Sequence, residues 1–506
     1  MVKIIKKSEW IALIVSVILS LSLVIPIQKK KVPNIVYILA DDLGYGDVSA
    51  YNTEGMIATP HIDKLANQGM RFLDAHSPSS VCTPTRYALM TGRYPWRSRL
   101  PVGVLRGYST TLIEKDCPTV ASLLKNHGYE TAVIGKWHLG LDWVLKKEYE
   151  NDLNTEGVGI KEELNPEHID FMQNPTQGPQ TVGFNYSYIL PASLDMPPYC
   201  YLENHKLTEL PTAYTKGNKL ESGYTGPFWR EGKMSPSFNF QEVLPTFTEK
   251  ANDFLKKQSK NKPFFLYLPF AAPHTPWVPK DNYKGKSKAG EYGDFVQQVD
   301  DAVGHVLHTL DSLGLSDNTI VVFASDNGPY WREDFVKRYN HSASGGYRGM
   351  KGDAFEGGHR IPFIVRWKGK VKAGTTSNAI TTLANLIATC ADILGIKDEK
   401  YKAQDSYSIL PILLGQAEQV AHQEAVVHSS SIGFFAIRKG DWKLIEGLGS
   451  GGFTVPKEIK PKAGEATGQL YNLATDKKEE HNVYDKYPEK VKELRELLSD
   501  IKKNRS

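Results

Sequence analysis

Cysteine is scarce in this chain. Cys82, Cys117, Cys200 and Cys390 are the only four in 506 residues, too few for a disulfide-rich scaffold. Their spacings match no zinc site. A disulfide between two of Cys117, Cys200 and Cys390 is left open. Charge of one sign is equally scarce. The formal net charge is +4, and residues 1–31 alone hold Lys3, Lys6, Lys7, Lys29, Lys30 and Lys31 against Glu9. That segment is net +5, which leaves −1 for the rest. No basic domain remains to bind nucleic acid, so nucleic acid is excluded as a partner. The longest apolar run, Ile11 to Ile27, is short for a comfortable membrane span of about 20 residues. There is no internal repeat and no low-complexity tract.

What is present describes a folded, exported protein. Hydrophobic residues make up 41% and charged residues 23%, the balance of a globular chain. This length suggests about two domains. The basic start followed by an apolar run reads as an export signal. The alternative is an uncleaved membrane anchor, with Lys29, Lys30 and Lys31 beside the membrane. Either way the protein is expected to be periplasmic, extracellular or anchored on the outer face.

Short apolar runs alternate with helical patterns, which indicates an α/β sheet between helices. Strands are predicted at residues 34–40, 131–134, 263–268, 319–324 and 360–367, and helices at 60–68, 119–126, 246–258 and 292–313. Residues 141–240, rich in Asn, Pro, Gly and Tyr, read as a long excursion that shapes a pocket. Past Leu413-Leu414-Gly415, alternating runs at 425–428, 433–438 and 442–446 predict a small antiparallel sheet. Val491, Leu494, Leu497, Leu498 and Ile501 recur at helical spacing and predict a packing helix. The expected fold is mixed α/β: a mainly parallel central sheet flanked by helices, with a smaller C-terminal antiparallel sheet domain plus helix. The expected divisions are 1–31 for the signal or anchor, 32–415 for the main α/β domain and 416–506 for the C-terminal subdomain.

One segment stands out: Cys82-Thr83-Pro84-Thr85-Arg86, followed by Thr91-Gly92-Arg93. Pro84 lacks a backbone donor and suits a first helical turn. Thr83 is the expected N-cap and Gly92 the expected stop. Cys82 then sits at the mouth of a helix, where unpaired N–H groups and the dipole favour anions and activate nucleophiles. Arg86 lies on the first turn beside it.

Four predicted strands each end in groups suited to chemistry. Asp41-Asp42 follow the first, and Lys136 and His138 the second. His274 follows the third, and Asp326-Asn327 the fourth. Parallel strands would gather them on one rim. Asp41, Asp42, Asp326 and Asn327 are hard oxygen ligands suited to Ca²⁺ or Mg²⁺. Alone, Asp326-Asn327-Gly328 is an ordinary turn; the conjunction is what points to a site. Lys136 and His138 are two apart and share a face in an extended segment. His274 is held between Pro273 and Pro276. Lys351 lies in a glycine-rich stretch that permits close backbone approach to a ligand. A cationic cup over a divalent ion suits a tetrahedral oxyanion ester, sulfate or phosphate.

These motifs together resemble the type I sulfatases of the alkaline phosphatase superfamily, from about Pro33 to the C-terminal helix. The resemblance implies that a separate maturation enzyme converts Cys82 to formylglycine. It implies calcium bound by Asp41, Asp42, Asp326, Asn327 and the matured residue 82. Arg86, Lys136 and Lys351 would stabilise charge. His274 would protonate the leaving alcohol, alone or with Lys351, and His138 would act as the base that regenerates the aldehyde. A sulfated glycan is the expected substrate, because Tyr188, Tyr199, Tyr201, Tyr224, Phe228 and Trp229 crowd the excursion. The run from Ala192 to Tyr199 resembles segments of sulfatases acting on galactose or N-acetylgalactosamine sulfates. Asp195, Tyr199, His359 and Arg360 are the candidate substrate contacts. The competing readings are a phosphodiesterase or phosphonate hydrolase of the same superfamily, and an inactive anchored protein that only binds sulfated glycan.

Overall fold

The structure is a computed structural model that describes residues 32–151, 163–218, 226–398, 401 and 403–503. The expected signal or anchor at 1–31, and Tyr224, lie outside the described residues. No helix among the described residues is long and apolar enough to cross a membrane.

The centre is a ten-stranded sheet. Its strands in chain order are β1 (Asn34–Ala40), β2 (Met70–Phe72), β3 (Glu130–Lys136), β4 (Tyr186–Leu190), β5 (Leu202–Glu203), β6 (Lys206–Leu207), β7 (Phe264–Pro269), β8 (Thr319–Ser325), β9 (Phe363–Trp367) and β10 (Thr375–Ser377). They lie in the order β10-β2-β9-β8-β1-β7-β3-β4-β5-β6. The inner five, β8-β1-β7-β3-β4, are parallel. β9 runs antiparallel to β8, and β5 antiparallel to β4. β1, β7 and β8 are buried along their whole length, as expected where both faces are covered.

Alternation along β1 feeds two cores. Val36 and Ile38 pack with Ile62 and Leu65 of helix Pro60–Asn67, with helix Val243–Lys256 and with helix Gly290–Ser312. Ile35 and Tyr37 face the other way, toward Leu386, Cys390 and Ile393. Helices Cys82–Thr91 and Val120–Asn126 pack on Leu386–Leu394 at that side.

Three sequence expectations need correction, and one open question is answered. The helix after the nucleophile motif starts at Cys82 itself, with extended Val81 as N-cap. Thr83 is inside it, and its Oγ1 accepts from Leu105 N at 3.2 Å; Gly92 does end the helix, at φ 65°. The 360–367 strand begins only at Phe363, after Pro362, which has no N–H to give a ladder. The 141–240 segment is more than an excursion, because it supplies β4 and the β5–β6 hairpin to the main sheet. All four cysteines are free, so no disulfide forms.

Residues 34–506 form one compact unit. Within it, β11 (Val426–Ser429), β12 (Phe435–Lys439), β13 (Trp442–Ile445) and β14 (Gln469–Asn472) make a four-stranded antiparallel sheet. β14 escaped the sequence pattern because it is four residues long with polar ends. Val491, Leu494 and Leu498 of helix Pro488–Lys503 are buried against this sheet with Ile437 and Leu444.

Candidate functional site

β1, β7, β8 and β3 are parallel neighbours, so their carboxyl ends open on one rim, where α/β sheets place their sites. Asp41, Asp42, Cys82, Arg86, Lys136, His138, His274, Asp326, Asn327 and Lys351 all meet there, and all are buried. Chain geometry delivers them. Asp326 N donates to Ala40 O at 3.1 Å and Asp41 N to Ala272 O at 3.0 Å, which locks three strand ends together. Asp42 and His138 leave their strands at φ 63° and 56°, left-handed values that non-glycine residues hold mainly where surroundings force them. Gly328 is there for space: a Cβ would lie 1.9 Å from Gly357 O.

Arg86 reaches from its helix into the carboxylates. Its Nε and Nη2 donate to Asp326 Oδ2 at 3.1 and 2.8 Å, and Nη2 to Asp41 Oδ1 at 3.3 Å. Lys136 Nζ donates to Asp41 at 2.7 Å and to Ser193 Oγ at 3.1 Å. Lys351 Nζ lies 2.7 Å from the Asp42 carboxylate. Ligand atoms of Asp41, Cys82 and Asp326 fall within 4.8 Å of one another, as do those of Asp42, Cys82 and His274.

This crowding has an electrostatic signature. Burial and the Asp41 charge push Asp326 up to about 7, against Arg86 and Lys136. Burial acts the same way on Asp41, but Lys136, His274, Arg86 and Lys351 hold it well below the usual carboxylate range. Asn327 Nδ2 donates to Asp42 Oδ1 at 2.7 Å, while its own Oδ1 is buried without a hydrogen-bond partner. Three carboxylates, an orphaned amide oxygen and no competing soft donor but Cys82 fit a hard divalent cation.

The two histidines differ in their proton positions. His138 Nε2 donates to Leu105 O at 2.8 Å, which leaves Nδ1 with a lone pair and no partner. Burial, then Lys136 and Arg86, lower its pKa far enough to keep it neutral. His274 Nδ1 donates to Thr275 O at 2.6 Å, and its Nε2 lies 3.5 Å from Asp42 Oδ2. Burial and Lys351 lower its pKa, with Asp42, Asp41 and Asp195 opposing. Burial tends to discharge Lys351, yet Asp42, Cys82 and Asp41 raise its pKa above the ordinary value.

Asp195 adjoins this cluster. It is buried, lies 3.9 Å from His274 Nδ1 and is paired with Arg230. Its Oδ1 lacks a hydrogen-bond partner. The other substrate candidates are elsewhere. Tyr199 is fully buried, donates to Arg230 O at 2.8 Å and packs on Phe238 and Phe240. His359 is fully buried between His76 and Lys443. Arg360 pairs with Glu356 and Asp74. Tyr188 and Tyr201 stack on each other, and Trp229 packs on Phe240. These aromatics close the core under the excursion, because β4 makes that segment part of the sheet. The glycines near Lys351 also serve the chain itself: Gly358 lies against Asp353 O, 2.2 Å from where its Cβ would be. Sequence reasoning missed Ser193, which links Lys136 to His274, and Arg230. Arg230 belongs to no motif, and Ser193, although inside the Ala192–Tyr199 run, carries no signal of its own as a contact.

The Sulfatase family model matches residues 33–396. An N-acetylgalactosamine-6-O-sulfatase of Bacteroides thetaiotaomicron is 36% identical over 510 residues, covering 94% of each chain. Arylsulfatase A of Bos taurus is 29% identical over 96% of this chain and 89% of its own. A solved Bacteroides thetaiotaomicron sulfatase, from work on the metabolism of multiple glycosaminoglycans, superposes with a TM-score of 0.78. It is 34% identical and covers 94% of this chain and 100% of its own. The strand-end cluster and these likenesses agree: the chain belongs to the sulfatase family and is a sulfuric ester hydrolase.

Proposed function

We propose that this protein removes 6-O-sulfate from N-acetylgalactosamine or galactose in a sulfated glycan. In this reading Cys82 is matured to formylglycine, and calcium is held by Asp41, Asp42, Asp326 and Asn327. The observation that carries the reading is the gathering of those oxygens around position 82 and under Arg86, Lys136 and Lys351. The sugar is taken from the Bacteroides thetaiotaomicron relative, which is similar along nearly its whole length. Cys82 supports maturation too. Burial pushes its thiol up to about 12 against Lys136 and Lys351, so unmodified it is a protonated, soft and poor nucleophile. Because the residue is buried, the formylglycine-generating enzyme must reach it before the chain folds. Residues 1–31 support export, as a cleaved signal or an anchor.

Hydrated formylglycine supplies an oxygen nucleophile, and calcium there neutralises the carboxylates and polarises the ester. The chain's own residues do the rest. Arg86 orients Asp41 and Asp326 on the nucleophile side. Lys136 and Lys351 stabilise the charge that develops on the sulfate oxygens. Lys351 stays protonated and can donate to the leaving alcohol. His274 shares that role once the substrate's negative charge raises the proton affinity of Nε2. His138 accepts a proton at its unpartnered Nδ1. Asp195, steadied by Arg230, accepts from a sugar hydroxyl.

The test is a desulfation screen of matured protein over defined oligosaccharides sulfated at O2, O3, O4 or O6 of gluco and galacto sugars, with matched phosphate diesters and phosphonate esters. Sulfate release confined to 6-O-sulfated galacto sugars supports the reading. Faster cleavage of matched phosphate diesters or phosphonate esters, read as the alcohol set free, than of the sulfate esters would assign the phosphodiesterase or phosphonate hydrolase, and binding without release an inactive glycan-binding protein.

A further inference from the structure

A second buried polar cluster lies behind the nucleophile segment, and the reaction above does not use it. His76, His359 at the end of helix Glu356–His359, and His428 on β11 are all enclosed. The His359 and His428 rings stack at 3.8 Å and 10°, and His76 lies 5.2 and 4.9 Å from them. Ring nitrogens of the three fall within 4.8 Å of one another. Even so, stacked rings direct their in-plane lone pairs side by side, where one ion cannot take both. Lys443 Nζ, 2.9 Å from His359 Nε2, also repels a cation.

The contacts define a proton order instead. The Lys443 ammonium can only donate, so His359 Nε2 accepts. His359 Nδ1–H then donates to His76 Nδ1 at 3.1 Å, and His76 Nε2–H to Asp74 Oδ1 at 2.6 Å. His428 Nδ1–H donates to Ser77 O at 3.1 Å. Each ring is neutral in one tautomer only. Glu356 and Glu479 face Lys443, while Arg360 and Arg438 face Asp74.

The backbone around this cluster leads straight to the reacting groups. Ser77 N donates to His359 O at 2.8 Å and Ser80 N to Ser429 O at 3.0 Å. Gly352 N, next to Lys351, donates to Ser80 O at 2.8 Å. The segment that delivers Cys82, the loop that delivers Lys351 and the first strand of the C-terminal sheet are thus tied at one place.

We propose that His76, His359 and His428 are positioning residues for the sulfatase reaction. Neutral and fixed in tautomer, they make the C-terminal sheet the support on which Cys82 and Lys351 are aligned. The proposal rests on the reading of Cys82 and Lys351 given above.

The experiment uses full-length matured protein with formylglycine content measured by mass spectrometry. His428→Phe keeps the stacking but removes the donor to Ser77 O; His428→Asn places an amide N–H near the Nδ1 position. With an aryl sulfate, kcat per formylglycine should fall about tenfold in His428→Phe with KM within twofold, because small misplacements of reacting groups are costly. His428→Asn should recover most of it. Amide hydrogen exchange across 77–82 should quicken in His428→Phe and not in His428→Asn. Where His428→Phe does not fold, His428→Leu is read the same way. Unchanged kcat and exchange in the donor-less variant would overturn the proposal, as would equal losses in both variants or stoichiometric zinc lost on substitution. A parent that releases no sulfate, with exchange still quickened in His428→Phe, would instead overturn the catalytic reading, and the cluster would then be a structural support for residues 77–82 with no part in a reaction.

Discussion

Arg86 is the side chain whose removal the site should feel most. It is fully buried and makes four hydrogen bonds: two to Asp326, one to Asp41 and one to Lys136 O. Arg86→Leu removes the only guanidinium facing Asp41 and Asp326 among the described residues. Breaking a buried pair by deleting one partner costs about 3–5 kcal/mol. For a folded unit of this size the unfolding entropy is roughly 1 kcal/mol per kelvin. The expected loss in Tm is therefore about 3–5 °C in the presence of a chelator. The proposed calcium, at a hundred times its Kd, would add about 2.7 kcal/mol to the parent. It should add more to the variant, because the ion then replaces the lost positive charge beside Asp326. Thermal scans of both proteins, with chelator and with calcium, read this directly. An unchanged Tm in chelator, or a calcium response no larger in the variant than in the parent, would refute the electrostatic account of the site.

Other consequences follow from the same geometry. His138→Gln should lower kcat by about 10²–10⁴, the range for losing a general base. The parent's rate should hold to well below pH 6.5, because burial, Lys136 and Arg86 keep His138 neutral; a parent rate that halves near pH 6.5 would contradict this. Asp195→Ala should lower kcat/KM for a 6-sulfated galacto sugar by about 10–100-fold, the worth of a hydrogen bond to a charged group, and for a plain aryl sulfate by less than threefold. Acid stability tests the histidine cluster. Burial first, then neighbouring histidines and Lys443, lower the pKa of His359, while burial dominates for His76 and His428. Below about pH 6.5 the unfolded chain binds protons that the folded cluster refuses. Stability from this source is therefore complete above pH 6.5 and declines as pH falls. Urea midpoints between pH 7 and 5 should show a smaller acid loss in His428→Asn than in the parent.

The gathering of these side chains on one rim was legible in the sequence because it is written as short motifs at strand ends. Asp41-Asp42, Asp326-Asn327, Lys136 and His274 each follow an apolar run long enough to be recognised, and parallel pairing brings such ends together. Cys82 and Arg86 sit within a single helical turn, so their proximity is local. The substrate side was not legible. Tyr199 and its aromatic neighbours have the composition of a sugar platform, yet they pack the core because Tyr186–Leu190 joins the sheet, and five residues flanked by polar turns gave no sign of that. His359 and Arg360 follow Lys351 closely in sequence but are drawn to Glu356 in their own short helix and to Asp74 and Lys443, and these last two are distant in sequence and meet them only in three dimensions. Ser193 bridges Lys136 and His274, and Arg230 pairs with Asp195; no spacing in the sequence announces either contact.

In the proposed reaction an oxidised residue 82, gripped by these acidic and basic groups, cleaves sulfate esters. The decisive measurement is sulfate release across preparations whose formylglycine content at position 82 ranges from none to near complete. The expected rate is proportional to that content and passes through zero in unconverted protein. A rate of similar size in protein carrying only the Cys82 thiol would contradict it.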